Sequence, residues 1–99
     1  MHVAALGMDL HLPASTSLKD KRSVVRHLLE AARCRYRVSA AEVGHLDLTQ
    51  RSTIGFAVVS SDPRQAEEVL DTVERFVWSH PELTVLSATR QWLDATAEL

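Results

Sequence analysis

The 99-residue sequence predicts an α+β fold with the order strand, helix, strand, strand, helix, strand. Four segments have the alternating or β-branched residues typical of strands, and two segments between them repeat apolar residues at helical spacing. Each helix is long enough to connect two strands that are not neighbours, and such crossovers are right-handed. We therefore expect a ferredoxin-like split βαβ sandwich (βαββαβ), with an antiparallel four-stranded sheet and two helices on one face.

Four segments are predicted to form the sheet. In "HVAALGMDLHLP" (residues 2–13), leucine and methionine alternate with small or polar residues, and the proline ends the strand. "VSAAEVG" (38–44) and "RSTIGFAVVSS" (51–61) follow as a pair joined by the polar loop "HLDLTQ". The second of these has the β-branched and aromatic residues that strands favour. "LTVLSATRQW" (83–92) is the fourth predicted strand.

Two amphipathic helices are predicted between the strands. The first begins after the N-cap residue Ser17, with Asp20 completing a capping-box-like pair. The second begins after Asp62, with Pro63 in its first turn and Gln65 at the capping-box position. The apolar face comprises Leu18, Val24, Val25, Leu28, Leu29, Ala32 and Tyr36 on the first helix, and Ala66, Val69, Leu70, Val73, Phe76 and Val77 on the second.

Length and composition predict one compact domain, residues 1–99. The apolar runs are far shorter than the roughly 18 residues of a membrane-spanning helix, and no signal peptide is recognised, so we expect a cytoplasmic protein that does not enter a membrane. With a single cysteine, Cys34, the sequence has no internal disulfide. The helical wheel places Cys34 on the outer side of the first helix. No motif predicts a cofactor or a metal site, and we expect neither.

Three segments resemble a known family: "SLKDKRSVVRHL", "VSAAEVGHLDLTQRSTIG" and "VVSSDPRQAEEVLDTVERFV". They are similar to the YlxP-like bacterial proteins, a family of unknown function (domain-of-unknown-function family 503), and the similarity covers nearly the whole chain. The tail from Trp92 to Leu99 carries no family motif. The resemblance implies a ferredoxin-like fold and no established activity. It also implies a genomic setting among genes for translation initiation and ribosome maturation. The positions that fit the family pattern are Lys19, Lys21, Arg22, Glu42, Asp47, Gln50 and Arg51.

Positive charge is concentrated in residues 15–37. This stretch has seven Lys or Arg residues against two acidic ones, whereas the whole chain has a net charge of −2. A helix N-terminus carries about half a positive charge, so cations there are unfavourable unless an anion lies nearby. The predicted topology brings this N-terminus together with the end of the first strand and the loop after the second. We therefore expect an anion or RNA site there. Its candidate residues are the basic Lys19, Lys21, Arg22, Arg26, Arg33, Arg37 and Arg51, and the possible ligand-loop residues His11, His45, Asp47 and Gln50.

Charge is also separated between the two predicted helices. The helical wheel places Lys19, Arg22, Arg26, Arg33 and Arg37 to one side of the first apolar face. It places Glu67, Asp71 and Glu74 on the same-handed side of the second. Because the helices are antiparallel on one face of the sheet, these sides face opposite sheet edges. A polyanion is then expected along the basic edge, and the basic and acidic edges of two subunits could also pair.

The class of polyanion is constrained by the other face of the sheet. RNA-recognition domains of this architecture stack bases on aromatic side chains of the two central strands. This sequence places Ala5, Gly7, Gly55 and Ala57 there instead. Contact with ribosomal or other structured RNA would therefore be made through its backbone phosphates.

Three functions remain open from the sequence, and a purely solvated basic surface is the alternative to all of them. The first is a non-catalytic module that binds structured or ribosomal RNA. The second is a small enzyme or binder of a phosphorylated metabolite at the same end, with His45 and Asp47 as acid and base groups. The third is a homo-oligomeric scaffold, because small residues on an open sheet face permit close packing of a second subunit. No residue is assigned as catalytic.

Overall fold

The computed structural model describes residues 1–94 and has the predicted element order. Its elements are β1 (His2–His11), α1 (Leu18–Tyr36), β2 (Ser39–Gly44), β3 (Arg51–Ser60), α2 (Pro63–Trp78) and β4 (Thr84–Asp94). The sheet order is β2-β3-β1-β4, and every neighbouring pair is antiparallel. The α+β ferredoxin-like arrangement is thereby confirmed, with β1 and β3 in the centre and β2 and β4 at the edges.

The fourth strand is longer than its sequence pattern indicates. β4 continues two residues past Trp92, because β1 pairs with it over its whole length, from His11 opposite Thr84 to His2 opposite Asp94. A register shift between Asp9 and Leu10 interrupts this pairing. The rest of the predicted C-terminal tail, residues 95–99, lies outside the described residues.

Alternate residues of the central strands face the helices and form the core. The buried residues are Ala4, Leu6, Met8, Leu10 and Leu12 near β1, Ile54 and Phe56 on β3, Val25, Leu28, Leu29 and Ala32 on α1, Ala66, Leu70, Val73 and Val77 on α2, and Val38 before β2. Val24, Tyr36, Val69 and Phe76 are partly buried and pack around them. Apart from Leu18, which is not among these residues, both helical faces therefore agree with the apolar periodicity.

Helix α1 begins as predicted, but its capping bonds differ in detail. Ser17 Oγ accepts a hydrogen bond from Asp20 N at 3.1 Å. The Asp20 carboxylate accepts from Thr16 Oγ1 at 2.7 Å and from Thr16 N at 3.3 Å, rather than from the backbone N–H of Ser17 that a capping box uses. These bonds from Thr16 hold the pKa of Asp20 below its ordinary value. The helix ends at Tyr36, and its C-cap residue Arg37 has a left-handed φ of 55° and donates from its N–H to Arg33 O.

Helix α2 has a similar correction at its start. Asp62 caps the helix by accepting from Arg64 N at 3.0 Å. Gln65 does not bond to the Asp62 backbone; its Oε1 accepts from Ser60 Oγ, and the same hydroxyl accepts from Asp62 N. A side chain at the end of β3 therefore links the cap residue to Gln65, which joins the strand to the helix.

The two helices lie toward opposite edges of the sheet. α1 packs over β2, whereas α2 packs over β1 and β3 and also contacts β4. Cys34 is exposed on α1, as its position on the helical wheel predicts. Within residues 1–94, neither helix is long and apolar enough to cross a membrane.

Candidate functional site

Lys21 is the residue for which the sequence-based expectation needs correction. Its side chain is completely buried, with 0% exposure. The ammonium donates to Glu42 Oε2 at 2.8 Å, to the His45 carbonyl at 2.9 Å and to the Leu46 carbonyl at 3.2 Å. A lysine has three donors, and these three acceptors use all of them. Lys21 is therefore removed from the candidate anion ligands and is assigned to the structure of this end of the molecule.

The carboxylate that pairs with Lys21 has a second donor. Ser52, which is buried on β3, donates from its hydroxyl to the same oxygen of Glu42 at 2.7 Å. We call Lys21, Glu42 and Ser52 the Lys21 cluster. It joins α1, β2 and β3 below the loop between the two strands, and it gives the carboxylate two hydrogen bonds, from a fully buried lysine and a buried serine.

The backbone conformation of the loop after β2 directs two of its carbonyls toward Lys21. The pairing of β2 with β3 shifts register between Glu42 and Gly44, which indicates a bulge. A Cβ on Gly44 would lie 3.0 Å from the Cβ and hydroxyl of Thr53, so a side chain is disfavoured at this close approach. His45 then adopts a left-handed φ of 54°, which turns the chain into the loop. Its carbonyl accepts from Lys21 and, at 3.2 Å, from Leu48 N.

Gln50 also has a structural position at this end. Its amide nitrogen donates to the Pro13 carbonyl at 3.3 Å and to the Ser15 carbonyl at 3.2 Å. Its own carbonyl accepts from Leu12 N at 2.9 Å. The predicted convergence of the β1 end, the α1 start and the β2–β3 loop is therefore observed. Gln50 contributes to it by joining these backbones, and its amide nitrogen is occupied.

The exposed cations of α1 form a separate surface at the β2 edge. Arg22, Arg26 and Arg33 line one shallow groove of about 240 Å³, with Glu42 beside it. Arg33 reaches the edge strand and donates to the Ala40 carbonyl at 2.6 Å. Arg22 Nη2 lies 3.7 Å from Asp47 Oδ1. Both side chains are exposed, and exposed ion pairs contribute at most about 1 kcal/mol to the free energy of unfolding.

Two further cations extend this surface along the helix. Lys19 is exposed in the first turn of α1, and Arg37 is exposed at its C-cap. We use the name basic edge for Lys19, Arg22, Arg26, Arg33 and Arg37. At the far edge of the sheet, Arg90 Nη2 of β4 lies 2.8 Å from Asp71 Oδ1 and 3.2 Å from Glu74 Oε1. The predicted acidic edge therefore needs correction, because Arg90 neutralises two of its three carboxylates.

Arg51 and His11 lie on the open face of the sheet rather than on the basic edge. They are paired directly across β1 and β3. Arg51 Nε is buried and has no hydrogen-bond partner among residues 1–94. Nearby, the Asp9 carboxylate accepts from Thr53 Oγ1 at 2.6 Å and from Ser87 Oγ at 3.1 Å. These hydroxyl bonds, with a smaller contribution from the Arg51 charge, hold the pKa of Asp9 below its ordinary value.

The tip of the β2–β3 loop has a feature that the sequence interpretation missed. Leu46 and Leu48 are both exposed and flank Asp47, and His45 is exposed beside them. The sequence signal for this feature is the alternation of leucine with polar residues in "HLDLTQ", of which the sequence interpretation used only the polar residues. Within residues 1–94, no three His, Cys, Asp or Glu side chains are grouped so that they could hold a metal ion.

The burial of Lys21 also had a sequence signal. Lys21 precedes Val25 by four residues and Leu28 by seven, so it lies on the apolar face of α1. Glu42 alternates with Ala40 on the helix-facing side of β2. A cation on one inward face and an anion on another could have indicated a buried pair.

Comparisons with known proteins identify a family whose activity is not known. A family model described as "Protein of unknown function (DUF503)" matches residues 3–90. The chain is also similar to the "Uncharacterized protein YlxP" of Bacillus subtilis (strain 168). The two are 37% identical over 76 residues, which cover 77% of this chain and 83% of that protein. Neither description names a ligand, so a function must be argued from the surface of this chain.

Proposed function

The chain belongs to the DUF503 family of proteins of unknown function, and from its own surface we propose that it is a non-catalytic module that binds structured or ribosomal RNA through the basic edge. The observation that carries the proposal is the groove lined by Arg22, Arg26 and Arg33. Three guanidinium groups beside one edge strand make a surface suited to phosphate groups, because arginine can bind phosphate through two parallel hydrogen bonds.

The position of the arginines on α1 favours an extended anion over a small one. Arg22 and Arg26 are one helical turn apart, and Arg33 is two turns further. At a rise of about 1.5 Å per residue, the three span about 16 Å along the helix axis. A single phosphate cannot contact groups that are so widely spaced, whereas successive phosphates of a nucleic acid can.

The burial of Lys21 also favours the basic edge over the α1 start as the anion-binding surface. A compact site for a phosphorylated metabolite at the α1 start would depend on Lys21 and Gln50, and their nitrogens already bind protein oxygens. On the basic edge, Arg33 also donates to the Ala40 carbonyl and Arg22 lies near Asp47, but each guanidinium has five N–H donors and both side chains are exposed, so donors remain for phosphate. The face that base-stacking modules use has Gly7 and Gly55 directly opposite each other, so we propose contact with phosphates rather than with bases. With such an RNA partner, we propose a cytoplasmic location for the protein.

The proposal is tested by co-sedimentation of the purified protein with ribosomal subunits across a salt series. The variant Arg22→Glu/Arg26→Glu reverses two charges of the basic edge. The matched control Arg64→Glu/Arg75→Glu reverses two exposed charges on α2. We expect saturable, salt-sensitive binding by the wild type and the control. The basic-edge variant should lose binding, because each phosphate contact releases condensed counterions.

Three results would contradict the proposal. One is the absence of wild-type binding even at low salt. Another is equal loss in both variants, which would indicate a response to net charge rather than to the basic edge. The third is retention of binding by a folded Arg22→Glu/Arg26→Glu protein. After any of these results, the same proteins should be titrated with phosphorylated metabolites.

A further inference from the structure

The face of the sheet opposite the helices has an uncovered centre made of small residues. Ala5 pairs with Ala57, and Gly7 pairs with Gly55, across the two central strands. Together with the neighbouring strands they form a shallow concavity of about 430 Å³. An amphipathic sheet normally buries one face and leaves polar side chains on the other, whereas the two central strands of this face present only alanine and glycine here, with the polar Thr89 and Gln91 beside them on β4.

One end of the same face is apolar and exposed. Val3 on β1 lies directly opposite Val59 on β3 and Leu93 on β4, so the three form a continuous row across three strands. Val59 is 64% exposed and Leu93 is 59% exposed. On the edge strand β2, Val43 is also exposed and lies against Gly55. A contiguous apolar surface of this kind marks an interaction site more often than scattered residues do.

We propose that this open face is the interface at which a second copy of the chain packs, sheet against sheet. The four strands cover about 600 Å² on each copy at ordinary strand spacing, or about 1,200 Å² for the pair. That area reaches the lower bound of stable, specific interfaces, which is about 1,200 Å². The small central residues let the two sheets approach closely, and the apolar row supplies the larger side chains.

A second copy is favoured because the face is complementary to itself. A two-fold axis that runs along the strands, between β1 and β3, sets β1 of one copy over β3 of the other. Val3 of each copy then lies over Val59 of the other at the same level of the sheet, whereas Leu93 on β4 extends past the start of the partner's β2. The Ala5 and Gly7 positions meet Ala57 and Gly55 of the other copy at the same level of the sheet.

The charged group nearest to the centre of the face does not oppose this packing. Asp9 accepts hydrogen bonds from Thr53 and Ser87, which lie on the same face. Its two oxygens therefore already have donors before a partner arrives, and burial removes fewer hydrogen bonds with water. This interface is distinct from the basic edge, so the proposal does not depend on RNA binding.

Sedimentation equilibrium of the full chain from low to high micromolar concentration tests the proposal, with Gly7→Glu as the disrupting variant. A Cβ at Gly7 would meet nothing within 4 Å, so the substitution should leave the single copy intact. The wild type should change from 11.0 kDa toward twice that mass. Gly7→Glu should weaken association at least about 100-fold, because each copy would bury an unpaired carboxylate.

The control is Ala14→Glu, which adds the same charge at an exposed position before α1. It should associate like the wild type. Thermal unfolding of all three proteins at low concentration checks that each is folded. A wild type that stays monomeric throughout overturns the proposal. A folded Gly7→Glu that associates as strongly as Ala14→Glu also overturns it, because the copies would then meet through another surface, such as an edge strand.

Discussion

The two edges of the sheet each hold a cation between α-helix and β-strand, but in different surroundings. At the β2 edge, Lys21 is fully buried and shares Glu42 with Ser52. At the β4 edge, Arg90 keeps 26% of its side chain exposed and binds Asp71 and Glu74. We call these last three residues the Arg90 cluster. Both groups neutralise charge between elements distant in sequence, yet water can reach only the second to an appreciable extent.

This difference in burial gives the two clusters different physical consequences. Breaking a buried pair leaves a charge without water or a partner, whereas solvent compensates an exposed pair when it breaks. Burial lowers the pKa of Arg90, but the hydrogen bonds to Asp71 and then Glu74 outweigh it and raise the pKa above its ordinary value. Adjacent cations of one basic stretch can therefore have unrelated surroundings: Lys21 is buried and supports the fold, whereas Arg22 is exposed.

The largest effect is expected from Lys21→Met. The substitution leaves Glu42 with Ser52 as its only donor within the cluster, and it removes the donor for the His45 and Leu46 carbonyls. We expect the free energy of unfolding to fall by about 3–5 kcal/mol, measured by urea denaturation. The control is Lys19→Met at an exposed position, which should change the free energy of unfolding by less than about 0.5 kcal/mol. Similar small changes for both variants would refute the structural role of Lys21.

A smaller effect is expected from Ser52→Ala. This change removes one of the two hydrogen bonds to Glu42 Oε2 and should reduce the free energy of unfolding by about 1.5–3 kcal/mol. Because Lys21 and Ser52 share one oxygen, their effects should not add. A double-mutant cycle with Lys21→Met measures this coupling. Strict additivity would mean that the two donors act independently and that the cluster is not a unit.

A third, weaker effect is expected at the opposite edge. Arg90→Gln should lower the free energy of unfolding by no more than about 1 kcal/mol, because its partners stay hydrated when the pair breaks. The same denaturation series at high salt should reduce the difference from wild type, since partly exposed pairs are screened. A loss comparable to that of Lys21→Met would show that burial does not separate the two clusters.

The smallest effect is expected on the open face and is confined to acidic solution. Folding lowers the pKa of Asp9 from its ordinary 3.8, chiefly through the Thr53 hydroxyl and then Ser87. The resulting stabilisation is complete above 3.8 and is lost as the pH falls through the lower, folded value. Asp9→Asn should therefore flatten the dependence of Tm on pH below about pH 4.5.

Thr53→Val provides the comparison for the Asp9 prediction. It removes the main cause of the lowered pKa while keeping the carboxylate, so it should also weaken the acid dependence. Asp20→Asn should be measured beside it, because the pKa of Asp20 is lowered as well, by Thr16. If the Asp9→Asn and wild-type curves of Tm against pH coincide over the acidic range, the hydroxyl bonds do not favour the ionised form.

The helix caps were predicted only in part from the sequence. The cap residues Ser17 and Asp62 were predicted correctly, since such residues are strongly preferred where a helix begins. The return bonds expected from Asp20 and Gln65 were not, because the nearby hydroxyls of Thr16 and Ser60 compete for the same side chains. The residue type at a capping position follows from the local sequence. The hydrogen-bond partner of a nearby side chain depends on which groups the adjoining segment places within reach.

By itself, the sequence determined the element order and the inward faces of the strands and helices, because each follows from the periodicity of neighbouring residues. Only the tertiary structure decided that Lys21 leaves the surface while Arg22 stays there. The oxygens that Lys21 binds belong to Glu42, His45 and Leu46, 21 to 25 residues along the chain. A buried charge is stable only where the folded chain brings such acceptors together, and no local pattern specifies their meeting.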